Sequence, residues 1–336
     1  MLSKKETDIS FDKFNKMNIL IIGDIMIDSY IWGKVERISP EAPVPIVAVT
    51  QRENRLGGAG NVAINIKALG ANPIICSVIG NDQKAEDLID LLNKAGMEKT
   101  GIILSKKRIT TVKFRVIGNN TQLLRVDEEI DKPLDKTDST KLLNKILNII
   151  SKKNIAAVIF QDYDKGVINP HLINTVIKKT KSLNIPVTVD PKKHNFLCYK
   201  NVTLFKPNLK EFKEGLNIKL DIKNQKELKE TLLNLHKTRN IDILLLTLSS
   251  EGLIISKKDK QHQFYHIKGE KRNIADVSGA GDTVISVATV CLAAGLDLFS
   301  IGLISNLAGG LVCEQVGVVP VNKEKLKFEI NSFKNI

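Results

Sequence analysis

The chain has 336 residues, 43% hydrophobic and 26% charged, without a Gly-, Pro- or Ser-dominated tract. Such a composition fits one large α/β domain or two ordinary ones, and excludes a disordered, collagen-like or mucin-like chain. Fifty basic against 37 acidic residues leave a net charge of +13, but the lysines are dispersed and only 5% of residues are aromatic, so a solvated basic face is favoured over a base-stacking groove and no nucleic-acid partner is expected.

Residues 1–17 read as a polar N-terminal extension, and residues 18–336 as a single domain. The run NILIIG at 18–23 is β-branched and closed by glycine, the pattern of a buried strand. Similar runs recur at 74–79, 155–160, 185–189, 201–206 and 243–248. Helical spacing fills the intervals at 59–69, 84–95, 138–152, 170–183, 208–216 and 224–237. This alternation predicts a mainly parallel central sheet with helices on both faces, a three-layer α/β/α fold whose ligands sit at the carboxyl ends of the strands. Two segments, about 28–52 and 108–127, break the alternation and are expected to meet as a small β lid beside those strand ends. A glycine turn at 279–281, apolar helices to about 316 and a polar helix from 322 complete the chain.

The nearly uncharged stretches 284–296 and 301–313 fall short of the ~20 residues that cross a bilayer, and no apolar run follows the first charged residues as in a secretory signal. Cys76, Cys198, Cys291 and Cys313 form no C-x-x-C pair. A cytoplasmic protein with reduced thiols and no membrane partner is the expectation.

The densest chemistry lies in DVSGAGDTV, residues 276–284. Gly279, Ala280 and Gly281 precede Asp282 and an apolar helical run, so backbone N–H groups at a helix N-terminus can approach an anion such as a phosphoryl group. A carboxylate beside that anion is unfavourable unless it takes a proton from an incoming hydroxyl, which makes Asp282 the candidate general base. A plain glycine turn with an aspartate cap is the alternative. The second cluster, RLGGAGNVAINIKALG at 55–70, matches neither the dinucleotide fingerprint nor the Walker A loop. It reads as a close-approach turn, with Asn61 suited to sugar hydroxyls or, alternatively, as helix packing.

Residues 57–61 and 276–282, together with IIGDIMIDSYIWG (21–33), RISPEAPVPIV (37–47), RVIGNNTQLLRVD (115–127), QDYDKG (161–166), VDPK (189–192) and KPNLKE (206–211), resemble the ribokinase-like, PfkB-type carbohydrate kinases. The resemblance covers roughly 17–320 and implies ATP-dependent phosphorylation of D-glycero-β-D-manno-heptose 7-phosphate at the anomeric O1, a step toward ADP-heptose for lipopolysaccharide core. Another sugar or nucleoside kinase of this fold and a catalytically silent sugar-binding protein are the alternatives.

The resemblance makes Asp282 the base, with Gly279, Ala280 and Gly281 holding the transferring phosphoryl group. It puts Asp28, Gly57, Gly58 and Asn61 at the sugar hydroxyls. Asn208 and Glu211 would organise Mg²⁺ through water, though the same spacing is a helix-capping arrangement. Lys192 would face phosphate or be a surface lysine; Thr247, Gly252 and Asn306 would lie at the nucleotide, and Asp276 with the loop 313–319 near a monovalent cation such as K⁺. Among the lid cations Arg37, Arg108, Lys113, Arg115 and Arg125, one or two would bind the 7-phosphate, the rest being exposed charges or partner contacts. The lid is also expected to join two copies of the chain. No H-x-G-H motif is present, so nucleotidyl transfer is expected from another polypeptide. Val287 stands where the family pattern prefers Ala or Gly.

Overall fold

The computed structural model describes residues 3–259 and 263–333. The polar leader folds as helix α1 (Lys4–Phe14), started by a capping box between Ser3 and Glu6. Its buried face carries Thr7, Ser10, Phe11 and Phe14, and the two phenylalanines are fully buried in the main core, while Ile9 is exposed. The leader is therefore packed into the molecule, which its polar composition hides.

Strand β1 (Asn18–Gly23) sends Ile19 and Ile21 into one core cluster and Leu20 and Ile22 into the other, as the two-residue period requires of a strand covered on both faces. Only Asp24 separates it from β2 (Ile25–Ile38), which leaves the main sheet and returns as β3 (Pro45–Gly58). Gly58 then turns the chain into α2 (Ala59–Ala68) at φ +58, where a Cβ would stand 2.3 Å from the Asp24 carbonyl oxygen. Next come β4 (Asn72–Gly80), α3 (Gln83–Lys94) and β5 (Ile102–Ser105). Strands β6 (Val112–Gly118) and β7 (Thr121–Glu128) form a hairpin whose turn residues Asn119 and Asn120 have φ 49° and 63°, the left-handed pair of a type I′ turn. The alternation resumes with α4 (Lys136–Lys152), β8 (Ile155–Gln161), α5 (Pro170–Ser182), β9 (Val187–Asp190), β10 (Leu204–Phe205), α6 (Leu209–Leu216), α7 (Gln225–Arg239) and β11 (Ile243–Thr247). After β12 (Leu253–Lys257) and β13 (Phe264–Ile267) come the apolar helices α8 (Ala280–Ala293) and α9 (Leu298–Cys313), then α10 (Lys323–Ser332).

Among the described residues, nine strands make the main sheet in the order β13-β12-β11-β10-β9-β8-β1-β4-β5. All neighbours are parallel except β11–β12 and β12–β13, an antiparallel edge that the sequence reading leaves out. One face buries α1, α2, α8, α9 and α10, and the other buries α4, α5 and α7, giving the expected three layers. The remaining strands form a separate sheet in the order β3-β2-β6-β7. The chain moves from β1 to β4 and β5 on one side, then crosses to β8 and continues outward through β9 to β11. The order thus reverses at β1, and a crevice opens at the carboxyl ends of β1 and β8.

Replacing Phe11 by alanine is expected to cost about 3 kcal/mol of folding free energy, measured as a lower midpoint in equilibrium urea unfolding; an unchanged midpoint would mean that α1 adds nothing to the core.

Candidate active site

The first turn of α8 sets Asp282 over that crevice. Its carboxylate is 5% exposed and accepts three hydrogen bonds, from Asn61 Nδ2 at 2.7 Å, Gln161 Nε2 at 2.9 Å and the Tyr163 hydroxyl at 2.7 Å. These donors come from α2, the end of β8 and the loop after it. Burial is the main influence on the Asp282 carboxyl and, with help from the neighbouring Asp190 charge, pushes it up to about 6 against the lowering effect of Asn61 and Tyr163. Asn65 supports the arrangement by donating to Asn61 and accepting from Thr283 and the Val321 N–H.

Gly279 opens α8 at φ +81, and a Cβ on it would stand 2.8 Å from Asn61 Nδ2. Ala280 and Gly281 are the first two residues of the helix, so their N–H groups belong to its unsatisfied N-terminal set. Beside Gly281 lies the buried pair Lys206–Asp190, 3.0 Å apart, and a Cβ on Gly281 would be 3.4 Å from Lys206 Nζ. A small residue thus brings the helix N-terminus up to an ammonium group. Sequence reasoning missed Lys206, Asp190, Gln161 and Tyr163 as site residues; their signal was their place at the ends of strand-like runs.

On the outer side, Lys192 pairs with Glu211 and lies 5.4 Å from the centre of the Tyr163 ring. Burial disfavours the Lys192 charge, but Asp190 and Glu211 more than offset it and hold the ammonium above the ordinary lysine range. Glu211 and Asn208 do form a capping box at α6, with both reciprocal bonds at 2.8 Å. Thr247 pairs with Asn208 across an isolated bridge, Gly252 turns the chain at φ +84, and Asn306 donates to the Lys268 carbonyl at 2.9 Å. Asp276 accepts N–H bonds from Ser278 and Gly317, each at 2.9 Å, and so fixes the glycine turn to the loop after α9.

The lid contributes Asp28, 4% exposed and paired with Arg115. Gly57 permits this approach, since a Cβ there would lie 2.3 Å from Asp28 Oδ2. Tyr30, another residue the sequence reading leaves without a role, lies between the guanidiniums of Arg55 and Arg115, 5.0 and 5.4 Å from its ring centre. Lys113 is bound to Asp127 and Glu129, and Arg108 donates to the carbonyls of Ile130, Lys132 and Lys165 at the lid base. Arg125 pairs with Asp127 on the lid surface, and Arg37 is exposed nine residues beyond Asp28 on β2, about 30 Å at ordinary strand rise. The structure therefore gathers Asp28, Gly57 and Arg115, sets Arg125 directly opposite Arg115 in the β6–β7 register, and leaves Arg37 apart from them. Val287 is buried in the α8 core without touching the Asp282 hydrogen bonds.

Comparison with known proteins places the whole chain. The family model of the pfkB family carbohydrate kinases matches residues 16–325. The chain belongs to that family. It is a phosphotransferase acting on a sugar hydroxyl. It is 36% identical over 329 residues to the bifunctional protein HldE of Geotalea uraniireducens, and 38% identical over 309 residues to that of Sulfurimonas denitrificans. These alignments take in 98% and 92% of this chain but 66% and 63% of the relatives, so the chain spans less than two thirds of their length. Escherichia coli phosphofructokinase-2 in complex with potassium shares the fold at TM-score 0.77 and 17% identity, covering 94% of this chain and 98% of that one. Arabidopsis thaliana ribokinase complexed with ribose and ATP does so at TM-score 0.71 and 15% identity, covering 95% and 99%. No helix among the described residues is long and apolar enough to cross a membrane.

Gly279→Ala is expected to displace Asn61 from Asp282 and to lower sugar-kinase kcat by about 100-fold with an unchanged far-UV circular dichroism spectrum. Steady-state kinetics beside that spectrum decide it, and undiminished turnover would show that the glycine is dispensable.

Proposed function

We propose that the chain transfers the γ-phosphoryl group of ATP to O1 of D-glycero-β-D-manno-heptose 7-phosphate and yields the 1,7-bisphosphate and ADP. The observation that carries this reading is the buried Asp282 carboxylate, set between three donors at the N-terminus of α8 and beside Lys206. The choice of sugar is supported by the spaced motifs at 21–47, 115–127 and 161–166 and by the near full-length similarity to the HldE proteins.

In this reading Asp28 and Asn61 hold sugar hydroxyls, and Asp282 takes the O1 proton as the O1–phosphorus bond forms and the bond from phosphorus to the β,γ-bridging oxygen breaks. The electron pair leaves with ADP, and the proton passes from Asp282 to solvent after product release. The N–H groups of Gly279, Ala280 and Gly281, with Lys206 and Lys192, face the negative charge on the transferring group. Arg115 and Lys113 are the lid cations closest to Asp28 in the sheet register and are assigned to the substrate phosphate. Thr247, Gly252 and Asn306 border the nucleotide.

The residues present fit a hydrated Mg²⁺. Asn208 and Glu211 are occupied by their capping bonds and by Lys192, which leaves room for contact through water rather than direct ligation. Bound on the nucleotide phosphates, Mg²⁺ neutralises their charge and orients them. Gln161 Oε1 and Asp190 Oδ1 are buried acceptors with no donor from the protein, which suits a guest rich in hydroxyls or water. Asp276 keeps one lone pair on each oxygen beyond its backbone bonds and is assigned, with the loop 313–319, to K⁺. The exposed Val49, Leu124 and Val126 of the lid sheet support a homodimer formed through the lid. A cytoplasmic enzyme follows from its nucleotide and sugar-phosphate substrates.

The test is ADP release with ATP·Mg²⁺ and a panel of manno-heptose 7-phosphate, sedoheptulose 7-phosphate, fructose phosphates, ribose and adenosine. Selective turnover of the heptose phosphate is expected, reduced at least about 100-fold in Asp282→Asn; turnover of another acceptor would refute the sugar, and full activity of the variant would refute the base. Because Asp282 works only when ionised and its carboxyl is pushed up to about 6, kcat should be level above that value and fall as pH drops through it.

A further inference from the structure

Tyr163 lies in the QDYDKG motif, residues 161–166. Its hydroxyl donates to Asp282 Oδ1 at 2.7 Å while its ring lies against the Lys192 ammonium at 5.4 Å, and Lys192 pairs with Glu211. One side chain thus connects the carboxylate at the start of α8 with the ion pair at the start of α6. Its backbone is held just as closely. Asp24, directly after β1, accepts the N–H groups of Tyr163, Lys165 and Val167 at 2.9, 3.3 and 3.2 Å. Asp162 is fixed in turn by Asn195 at 3.0 Å and the Tyr199 hydroxyl at 2.9 Å.

A carboxylate offers about four lone-pair directions. Asn61, Gln161 and Tyr163 fill three of those on Asp282, so an acceptor hydroxyl has one direction of approach. We propose that Tyr163 is a positioning residue of the phosphoryl transfer, which turns the free lone pair of Asp282 toward the acceptor hydroxyl and ties that carboxylate to the Lys192–Glu211 pair. This inference rests on Asp282 being the base. Burial, reinforced by the Asp282 and Asp190 charges, raises the Tyr163 phenol well above its ordinary value, so it stays a donor throughout the working pH range. A donor bound to a carboxylate favours the ionised form.

The charged and titratable groups facing Asp282 are Tyr163 in the loop after β8, Asp190 at the end of β9, Lys206 after β10 and, farther out, Lys192. All but Tyr163 remain in Tyr163→Phe, which also keeps the ring against Lys192. Loss of the hydroxyl should therefore move the acid limb of the kcat profile to higher pH. The experiment compares wild type, Tyr163→Phe and Asp282→Asn from pH 5 to 9, using ATP·Mg²⁺ and whichever panel acceptor the wild type turns over.

The expected result is a kcat about tenfold lower near pH 6.5 in Tyr163→Phe, the weight of one hydrogen bond to a charged group, with recovery toward pH 9 and a KM for ATP within about twofold of wild type. Tyr163→Ala, which also loses the ring, is expected to raise the KM for ATP. A Tyr163→Phe profile that superimposes on wild type, or that is lowered equally at every pH, overturns the inference while an inactive Asp282→Asn leaves the base assignment standing. Substantial activity in Asp282→Asn overturns both.

Discussion

A charged carboxylate taken out of water loses several kcal/mol of solvation unless polar partners replace the water. The structure around Asp282 is organised by that constraint. Its three donors come from α2, far away in sequence, and from the end of β8 and the loop just beyond it, and two of them are supported by further bonds: Asn61 by Asn65, and Tyr163 by Asp24. The burial that makes the carboxylate costly also lifts it to about 6, near enough to neutrality for a proton acceptor. A solvent-exposed aspartate at the same helix start would be a cap.

The reversal of strand order at β1 collects more carboxylates than this one. Asp24 and Asp162 follow β1 and β8, Asp190 ends β9, and all are buried. Burial chiefly lifts Asp162 to about 7, with the Asp24 charge adding to it, and it raises Asp24 and Asp190 as well. So acidic a crevice would repel a nucleotide and a sugar phosphate. Lys206 and Lys192, interleaved among the carboxylates, and the N-terminus of α8 oppose that charge on the side facing Asp282, where the proposed function puts the phosphoryl group. Asp24 is spent instead on backbone donors of the loop 163–167, and Asp162 on the Asp164 N–H and the side chains of Asn195 and Tyr199. The two lysines thus stand with Asp190 and Glu211, whereas Asp24 and Asp162 hold the loop after β8.

The parallel strands β1, β4, β8, β9, β10 and β11 were legible because they are continuous apolar runs separated by helices, and the glycine turn because small residues before an aspartate and an apolar helix have few uses; β5 and the antiparallel β12 and β13 were not. What was illegible depends on pairing across space. Lys206 and Asp190 are ordinary residues in KPNLKE and VDPK until adjacent parallel strands place them side by side. Asn208 and Glu211 satisfy the bland reading and leave the other open, since the capping box exists and Glu211 also meets Lys192. The α1 helix escaped notice because two phenylalanines four positions or fewer apart are diluted by charges that face solvent. Arg37 was grouped with Arg115 because both lie in the lid segments, whereas strand length carries it away from Asp28; Arg125 does stand opposite Arg115, but its pairing with Asp127 could not be read from the sequence.

The lid and the glycine turn are joined more directly than their separation in sequence suggests. Tyr30 on β2 accepts the Val318 N–H at 3.1 Å, and Arg55 on β3 donates to the Val318 carbonyl at 3.0 Å. The adjacent Gly317 N–H donates to Asp276, which also holds Ser278, the residue before Gly279. A short relay of hydrogen bonds therefore runs from the strand that bears Asp28 to the turn that precedes Asp282. Arg115 belongs to the same group, stacked on Tyr30 and paired with Asp28. Under the proposed function, a sugar hydroxyl on Asp28 would have to share the carboxylate with Arg115 or displace the guanidinium. The Asp28–Arg115 ion pair is in this way joined, through the Tyr30 ring and the Tyr30–Val318 bond, to the loop that fixes the glycine turn before Asp282.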